Sequence, residues 1–359
     1  MSSVVGLVEA MGLRTSALWL LALVVGALIL MALVFAAYAV YLRIHTDRRQ
    51  RLWEQLSARW EEPVLLALSD PASAPRVHEL VAPQHRLHFV RFALEYARRV
   101  KGEERRVLQT LAEPYLAPIA RRAHSREVEV RTRAVQTLGS LGLPPYAPEV
   151  VKALDDPSPL VAMVAARALA SSEHPEHAAR VLEHLHRFEG WSRSFMASML
   201  AAVGPAAAPA LRASFGDAHG APWVRAVAAE ALTMLRDFDA GDLAAAVVST
   251  EDDRELVASA LRLLAAVGTP EHVAAVRARC ASPDNVVRVH ALDALGIVGE
   301  EDDLPRLLGA MSDPSPWVAI HAARGLRAAG GMRLLRDLSD SDHPRAALAR
   351  QVLGEEAGT

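Results

Sequence analysis

Seven times between residues 130 and 326 an anchor residue is followed four positions later by a second apolar residue and eight positions later by leucine. The anchors are Val130, Val161, Ser192, Val224, Leu256, Val287 and Val318, at intervals of 31 or 32 residues. Ala134, Ala165, Met196, Ala228, Ala260, Ala291 and Ala322 hold the middle slot. Leu138, Leu169, Leu200, Leu232, Leu264, Leu295 and Leu326 hold the last. Spacings of four and eight place all three on one face of an α-helix, with alanine allowing close approach of neighbours. A fixed period of this length predicts a stacked array of helical hairpins, each burying its apolar face against the next. Asp-Pro-Ser-Pro at 156–159 and 313–316 predicts a turn, with Ser158 and Ser315 as caps and proline in the first turn of the helix that follows. Gly142, Gly204, Gly268, Gly299 and Gly330 come after that helix and suit left-handed C-terminal caps. Strand signals are absent, so the expected fold class is all-α.

The second pattern is a run of 26 uncharged residues, 17–42. As a helix it spans about 39 Å, longer than the roughly 30 Å hydrocarbon core of a bilayer, and is expected to be a transmembrane helix. A signal peptide is the rival reading, because Ala37-Tyr38-Ala39 has the look of a cleavage site. The run is longer than a signal-peptide core and only Arg14 precedes it as a basic residue. Arg43, Arg48, Arg49 and Arg51 flank its C-terminal side and predict that this side is cytoplasmic. The chain is thus expected at a bacterial inner membrane, single-pass, with the array cytoplasmic. Cys280 is the sole cysteine, and one thiol forms no internal bridge, so nothing argues for an oxidising compartment.

The expected organisation is a short extracytoplasmic tail (1–16), the span (17–42) and a juxtamembrane amphipathic helix (43–69). An irregular helical cap (70–126), the repeat array (127–353) and a tail (354–359) follow. In the juxtamembrane segment Leu52, Trp53, Leu56 and Trp60 lie at helical spacing. Periodicity leaves two readings open, a helix lying on an anionic leaflet and the first helix of the array. Proline at 71, 75, 83 and 114 marks 70–126 as atypical, and Gly102 is expected to end a helix.

The turn-then-helix units are clearest in EVEVRTRAVQTLGSLG (127–142) and NVVRVHALDALGIVG (285–299), which resemble HEAT repeats of the short bacterial, phycobilisome-lyase type. The resemblance covers about 127–353 and implies a right-handed α-solenoid. In that family an arginine after the anchor commonly pairs with a turn aspartate; here it stands as Arg131, Arg225 and Arg288.

Chemistry is sparse. Among HEAT-like proteins deoxyhypusine hydroxylase holds di-iron with His-Glu pairs, whereas His290 and His321 are followed by alanine and the one His-Glu pair is His78-Glu79. The bilin lyases handle a tetrapyrrole, and a cofactor-handling role of that kind is an alternative. His174, His177, His184 and His186 do not converge on one face as metal ligands would. No phosphate-binding loop and no catalytic triad spacing occurs. The expectation is no enzyme, no cofactor and no metal.

Surface remains. Trp191, Trp223 and Trp317 each precede an anchor and form either a binding rim or inter-repeat packing. The third and sixth positions after the anchors are expected to point out of the second helices toward a concave groove. They read Arg133/Gln136, Val164/Arg167, Phe195/Ser198, Val227/Glu230, Ser259/Arg262, His290/Asp293 and His321/Arg324. Arg262, His290, Asp293, His321 and Arg324 form the polar end. Net charge is −3, which excludes nucleic acid as an electrostatic partner of the whole chain. Residues 86–133 hold 12 basic and 6 acidic side chains, and 237–313 hold 6 and 15, so the distal end is expected to suit a basic partner. All but Lys101 and Lys152 of the 39 basic residues are arginine, as in a high-GC bacterial coding sequence. The expected function is a membrane-anchored cytoplasmic scaffold or adaptor that binds a protein partner and contacts the lipid bilayer. By analogy it would serve an envelope or exopolysaccharide assembly; a periplasmic binding module after signal cleavage is the other alternative.

Overall fold

The computed structural model describes residues 2–171 and 176–355; the side chains of 2–22, 24, 25, 27 and 49 fall outside that description. The side chain of Arg49, His174 and the tail from residue 356 therefore lie outside the described residues. Every regular element among the described residues is helical. The chain divides into two compact units, Met1–Tyr115 and Leu116–Thr359, a boundary inside the segment 70–126.

The first unit holds α1 (Ser2–Ser69), α2 (Ala74–Leu80), α3 (Arg86–Ala97) and α4 (Gly102–Ala112). Helix α1 is continuous over 68 residues, about 100 Å at 1.5 Å per residue. From Leu28 to Ile44 it turns apolar side chains outward, with Phe35 65% exposed, and the helix from Leu28 is long and apolar enough to cross a membrane by length and composition. Farther along, Leu56, Trp60, Val64 and Ala67 recur at intervals of three and four and are buried. Trp60 meets Phe89 edge-on at 5.3 Å and Phe92 at 5.8 Å. The Arg91 guanidinium lies over Trp53 at 4.4 Å. Of the two readings open for 43–69, packing against protein accounts for both tryptophans, while Leu52 stays exposed. Gly102, at φ 60°, opens α4 in a conformation that a side chain resists.

The second unit begins with α5 (Ala117–Arg122). Second helices of successive hairpins are α6 (Val128–Leu141), α8 (Pro159–Ala170), α10 (Arg193–Ala201), α12 (Pro222–Leu235), α14 (Arg254–Val267), α16 (Asn285–Val298) and α18 (Pro316–Ala328). Between them run α7 (Ala147–Lys152), α9 (Glu176–Glu183), α11 (Ala208–Gly216), α13 (Gly241–Thr250), α15 (Val273–Arg279) and α17 (Leu304–Ala310). Helices α19 (Met332–Ser339) and α20 (Ala346–Gly354) close the unit. Each second helix packs on the next. Every middle-slot residue and every eighth-position leucine is buried. Ser192, the one polar anchor, is instead an N-cap whose hydroxyl accepts the Phe195 N–H at 3.4 Å.

Local geometry departs from expectation in two places. Ser158 and Ser315 stand at the cap positions, but their hydroxyls accept no capping bond. Asp156 and Asp313 carry the function instead, each accepting the backbone N–H of that serine at 2.8 Å. Among the glycines, Gly142 caps α6 in the left-handed region at φ 66°, whereas Gly268 and Gly299 are extended, with φ −66° and −72°. At those two a Cβ would come within 2.4 Å of Leu264 O and 2.3 Å of Leu295 O, so glycine serves close approach. The arginine after the anchor does pair across repeats wherever it survives. Arg131 meets Asp156, Arg225 meets Glu251 at 2.7 Å, and Arg288 meets Asp313 at 3.0 Å.

Candidate recognition ridge

Side chains from α10 to α20 form a row of ion pairs that crosses repeat boundaries. Arg193 lies 3.1 Å from Glu230 on the next second helix and 2.9 Å from Glu255 on the one after. The Ser194 hydroxyl donates to the other oxygen of Glu230 at 2.5 Å. Hydrogen bonding to Arg193 holds the Glu255 carboxyl below its usual range. On α16 and α18, His321 Nδ1 lies 2.8 and 3.0 Å from the two oxygens of Asp293, so Nδ1 carries the proton. Trp317 stands edge-on to that imidazole at 5.7 Å. Arg324 forks onto Glu355, just past α20, at 3.1 and 2.8 Å.

Between these pairs sit Arg262 and His290, both half-buried. Arg262 donates to Ser259 Oγ at 2.9 Å, and among the described residues no carboxylate forms an ion pair with it. Burial, then the charge of Arg193, pulls its pKa down. Burial, then the charge of Arg262, pushes the His290 pKa below its ordinary value, so the ring is neutral at neutral pH.

Several ridge positions behave otherwise than expected. Val227 and Ser259 are fully buried. At 100° per residue the third position lies only about 60° from the anchor, close enough to the buried face to be covered where neighbouring helices crowd. Arg133, Gln136, Arg167, Phe195 and Ser198 are exposed. Trp191 and Trp317 are 40% and 51% exposed, while Trp223 is half-buried. Trp191 stacks on Phe195 at 6.5 Å, which places an exposed aromatic pair at the start of α10. Arg193, Ser194, Glu255 and Glu355 join the ridge although neither slot rule selects them. Their signal is one of charge alternation across repeats, with Arg193 lying 37 and 62 positions before its partners.

The acidic excess of 237–313 sits mostly off the ridge. Asp252 and Asp253, and the Glu301–Asp303 turn, belong to connections between helices; in the ridge row this stretch contributes Glu255 and Asp293. The other described histidines singled out by the sequence, His184, His186, His177 and His78, are engaged locally. His184 spans Arg180 O at 2.8 Å and Asp155 at 3.1 Å, and His186 meets Glu183 O at 3.2 Å. His177 has a partner of its own, and His78 meets the Tyr115 hydroxyl at 2.9 Å. Among the described residues no three His, Cys, Asp or Glu side chains are grouped as a metal site. Arg43, Arg48 and Arg51 are exposed on α1, just past the apolar stretch.

Comparison with known proteins agrees with the repeat pattern. Residues 113–193 and 242–327 match the family model for HEAT repeats, and the chain carries HEAT repeats over those two stretches. No curated protein matches the sequence. Solved structures also match, among them two with low TM-scores. One is the complex of CpcE and CpcF of phycocyanin lyase from Nostoc sp. PCC7120, 16% identical, covering 66% of this chain and 86% of that one, with a TM-score of 0.31. The other is human deoxyhypusine hydroxylase in complex with glycerol, 20% identical over 68% of this chain and 94% of that one, with a TM-score of 0.29.

Proposed function

We propose that this protein is a membrane-anchored scaffold that holds a partner protein on the ridge of its second helices and performs no catalysis itself. The observation that carries the reading is the ridge, where charged, polar and aromatic groups from consecutive repeats lie side by side. One extended ligand can touch several of them at once, which is how repeat arrays present binding surfaces. Helix α1 supports the anchoring half, because the bare apolar stretch and the buried Trp60 belong to one unbroken helix. Exposed arginines just after the stretch favour a cytoplasmic array. By analogy such a scaffold would suit a multi-protein assembly of the cell envelope.

The test is affinity purification of the full chain from solubilised membranes. A stoichiometric partner is expected with the native protein and is expected to be lost when Asp293→Ala and Arg324→Ala are combined, with helicity by circular dichroism unchanged. Retention by that pair, with loss when Trp191 and Trp223 are replaced by alanine, would move the site to the tryptophan rim. Absence of any stoichiometric partner would sink the scaffold reading.

A further inference from the structure

Among the described residues, the arginines of the row from α10 to α20 form ion pairs with one exception. Arg193 is answered by Glu230 and Glu255, and Arg324 and Arg327 by Glu355, while Asp293 accepts a hydrogen bond from His321 Nδ1. Among the described residues Arg262 makes one hydrogen bond, from Nη2 to Ser259 Oγ. Ser259 is itself buried and its hydroxyl is already committed to Glu255 O at 2.9 Å, so it offers no countercharge. A half-buried guanidinium without a carboxylate partner is costly to a fold, because desolvation of a charge is recovered only by pairing. Five N–H donors in a planar fork suit a carboxylate arriving from outside.

We propose that Arg262 receives a carboxylate carried by an extended acidic segment of the partner protein, while the Trp191–Phe195 pair takes an aromatic or large apolar side chain of the same segment. This rests on the scaffold reading above and gives its partner a chemistry. Three observations support it. Arg262 sits among the charges of Arg193, Glu230 and Glu255, but Arg193 pairs with both carboxylates and, among the described residues, neither forms an ion pair with Arg262, which leaves its fork open to an incoming carboxylate. His290, kept neutral, adds a hydrogen-bonding group beside the fork without answering its charge. The negative excess of 237–313 resides mainly in the turns, so the ridge itself does not select the basic partner that the summed charge suggested.

Spacing adds a constraint. Phe195 is on α10 and Arg262 on α14, two second helices apart. Packed helices lie about 8–10 Å apart, so the separation is roughly 16–20 Å. An extended chain advances about 3.3 Å per residue, which places the carboxylate about five or six residues from the aromatic side chain.

The experiment uses the full chain in lipid nanodiscs and a fluorescein-labelled Gly/Ser peptide with one Phe and, six positions on, one Glu; a twin carries Lys in place of Glu. Fluorescence anisotropy is expected to show the Glu peptide binding about tenfold or more tighter than its twin. Arg262→Glu is expected to invert that preference, and Phe195→Ala to weaken both peptides alike. Should Arg262→Glu fold poorly, Arg262→Gln serves, since loss of the charge alone is expected to erase the preference. Equal binding of the two peptides, no binding, or a preference unchanged by these substitutions overturns the proposal. If a cellular partner copurifies equally with the native chain and with Arg262→Glu, the scaffold stands and the Arg262 site falls. If no partner copurifies with either, the scaffold reading itself has failed.

Discussion

Arg131 and Asp156 stand 25 positions apart, yet Nε and Nη2 of the arginine lie 2.8 and 2.9 Å from the two carboxylate oxygens of the aspartate. The same aspartate organises its own turn by accepting the Ser158 N–H. Its backbone carbonyl is held from the other side by Arg187 of the following hairpin at 2.6 Å. The turns at 251 and 313 repeat the plan. Arg225 and Arg288 take the carboxylates of Glu251 and Asp313, while Arg279 and Arg345 each bond a backbone carbonyl there at 2.7 Å. Each of the three turns is thus gripped by the repeats before and after it, and stacking is fixed by charge-assisted bonds as well as by apolar contact.

Asp156→Ala is therefore expected to destabilise the protein by about 3 kcal/mol, because it strands a guanidinium in a partly buried site and releases the Ser158 N–H. Urea unfolding checks this. Glu183→Ala, which breaks the exposed pair with Arg180, is expected to change stability by no more than about 0.5 kcal/mol. Equal effects from the two would show that the turn clamp contributes nothing special.

Close approach of α16 and α18 makes a second prediction. A Cβ at Gly296 would lie 2.6 Å from the Gly325 Cα and carbonyl oxygen, which are backbone atoms with nowhere to move. Gly296→Ala is expected to cost about 3 kcal/mol through overpacking. At Gly309, inside α17, a Cβ meets nothing within 4 Å. There alanine is expected to stabilise by about 0.5–1 kcal/mol through helix propensity. Melting temperatures of the two variants should move in opposite directions.

The buried stripe was legible because it is local: anchor, fourth and eighth positions sit within three turns of one helix, and Leu138 through Leu326 never break the rule. The clamping arginines were not. Arg187 lies five residues before its anchor Ser192 and Arg279 eight before Val287, so they share no slot, and their targets are backbone atoms 28–33 positions away. Arg262, His290, Asp293 and His321 were readable as outward positions, but which of them would be satisfied internally depended on Arg193, Glu255 and Glu355, whose register differs. For Trp53 and Trp60 the same spacing serves a lipid interface and a protein core, and Phe89, Phe92 and Arg91 supply what the pattern lacked.

Acid should loosen the distal repeats in a definable way. Asp303 is 2% exposed and accepts Arg277 at 2.7 and 2.8 Å, and that hydrogen bonding, against the opposing effect of burial, holds its carboxyl below the usual range. A folded-state pKa below the unfolded value of about 3.9 means the unfolded chain binds the proton first. The pair's contribution is therefore complete above about pH 4–5 and is lost as pH falls through the folded value. Asp303→Asn keeps an oxygen for the Glu300 N–H but has nothing to titrate. The gap in melting temperature between native protein and this variant is expected to be widest near pH 7 and to narrow toward pH 3. A gap of constant size would mean that the charge of Asp303 is not what Arg277 stabilises.

The proposed orientation predicts thiol accessibility. Cys280 is half-buried, with burial pushing its thiol pKa up to about 12, so it is a poor nucleophile while the protein is folded and provides a silent background. Asp302 is exposed in the turn before α17. In Asp302→Cys, an impermeant maleimide applied to intact cells is expected to leave the protein unlabelled and to label it after permeabilisation. Replacing Arg43, Arg48, Arg49 and Arg51 by glutamine removes the charge bias that favours retention of this side in the cytoplasm, so part of the population should then become reactive in intact cells. Labelling of the Asp302→Cys protein in intact cells with all four arginines in place would put the repeats on the other side of the membrane.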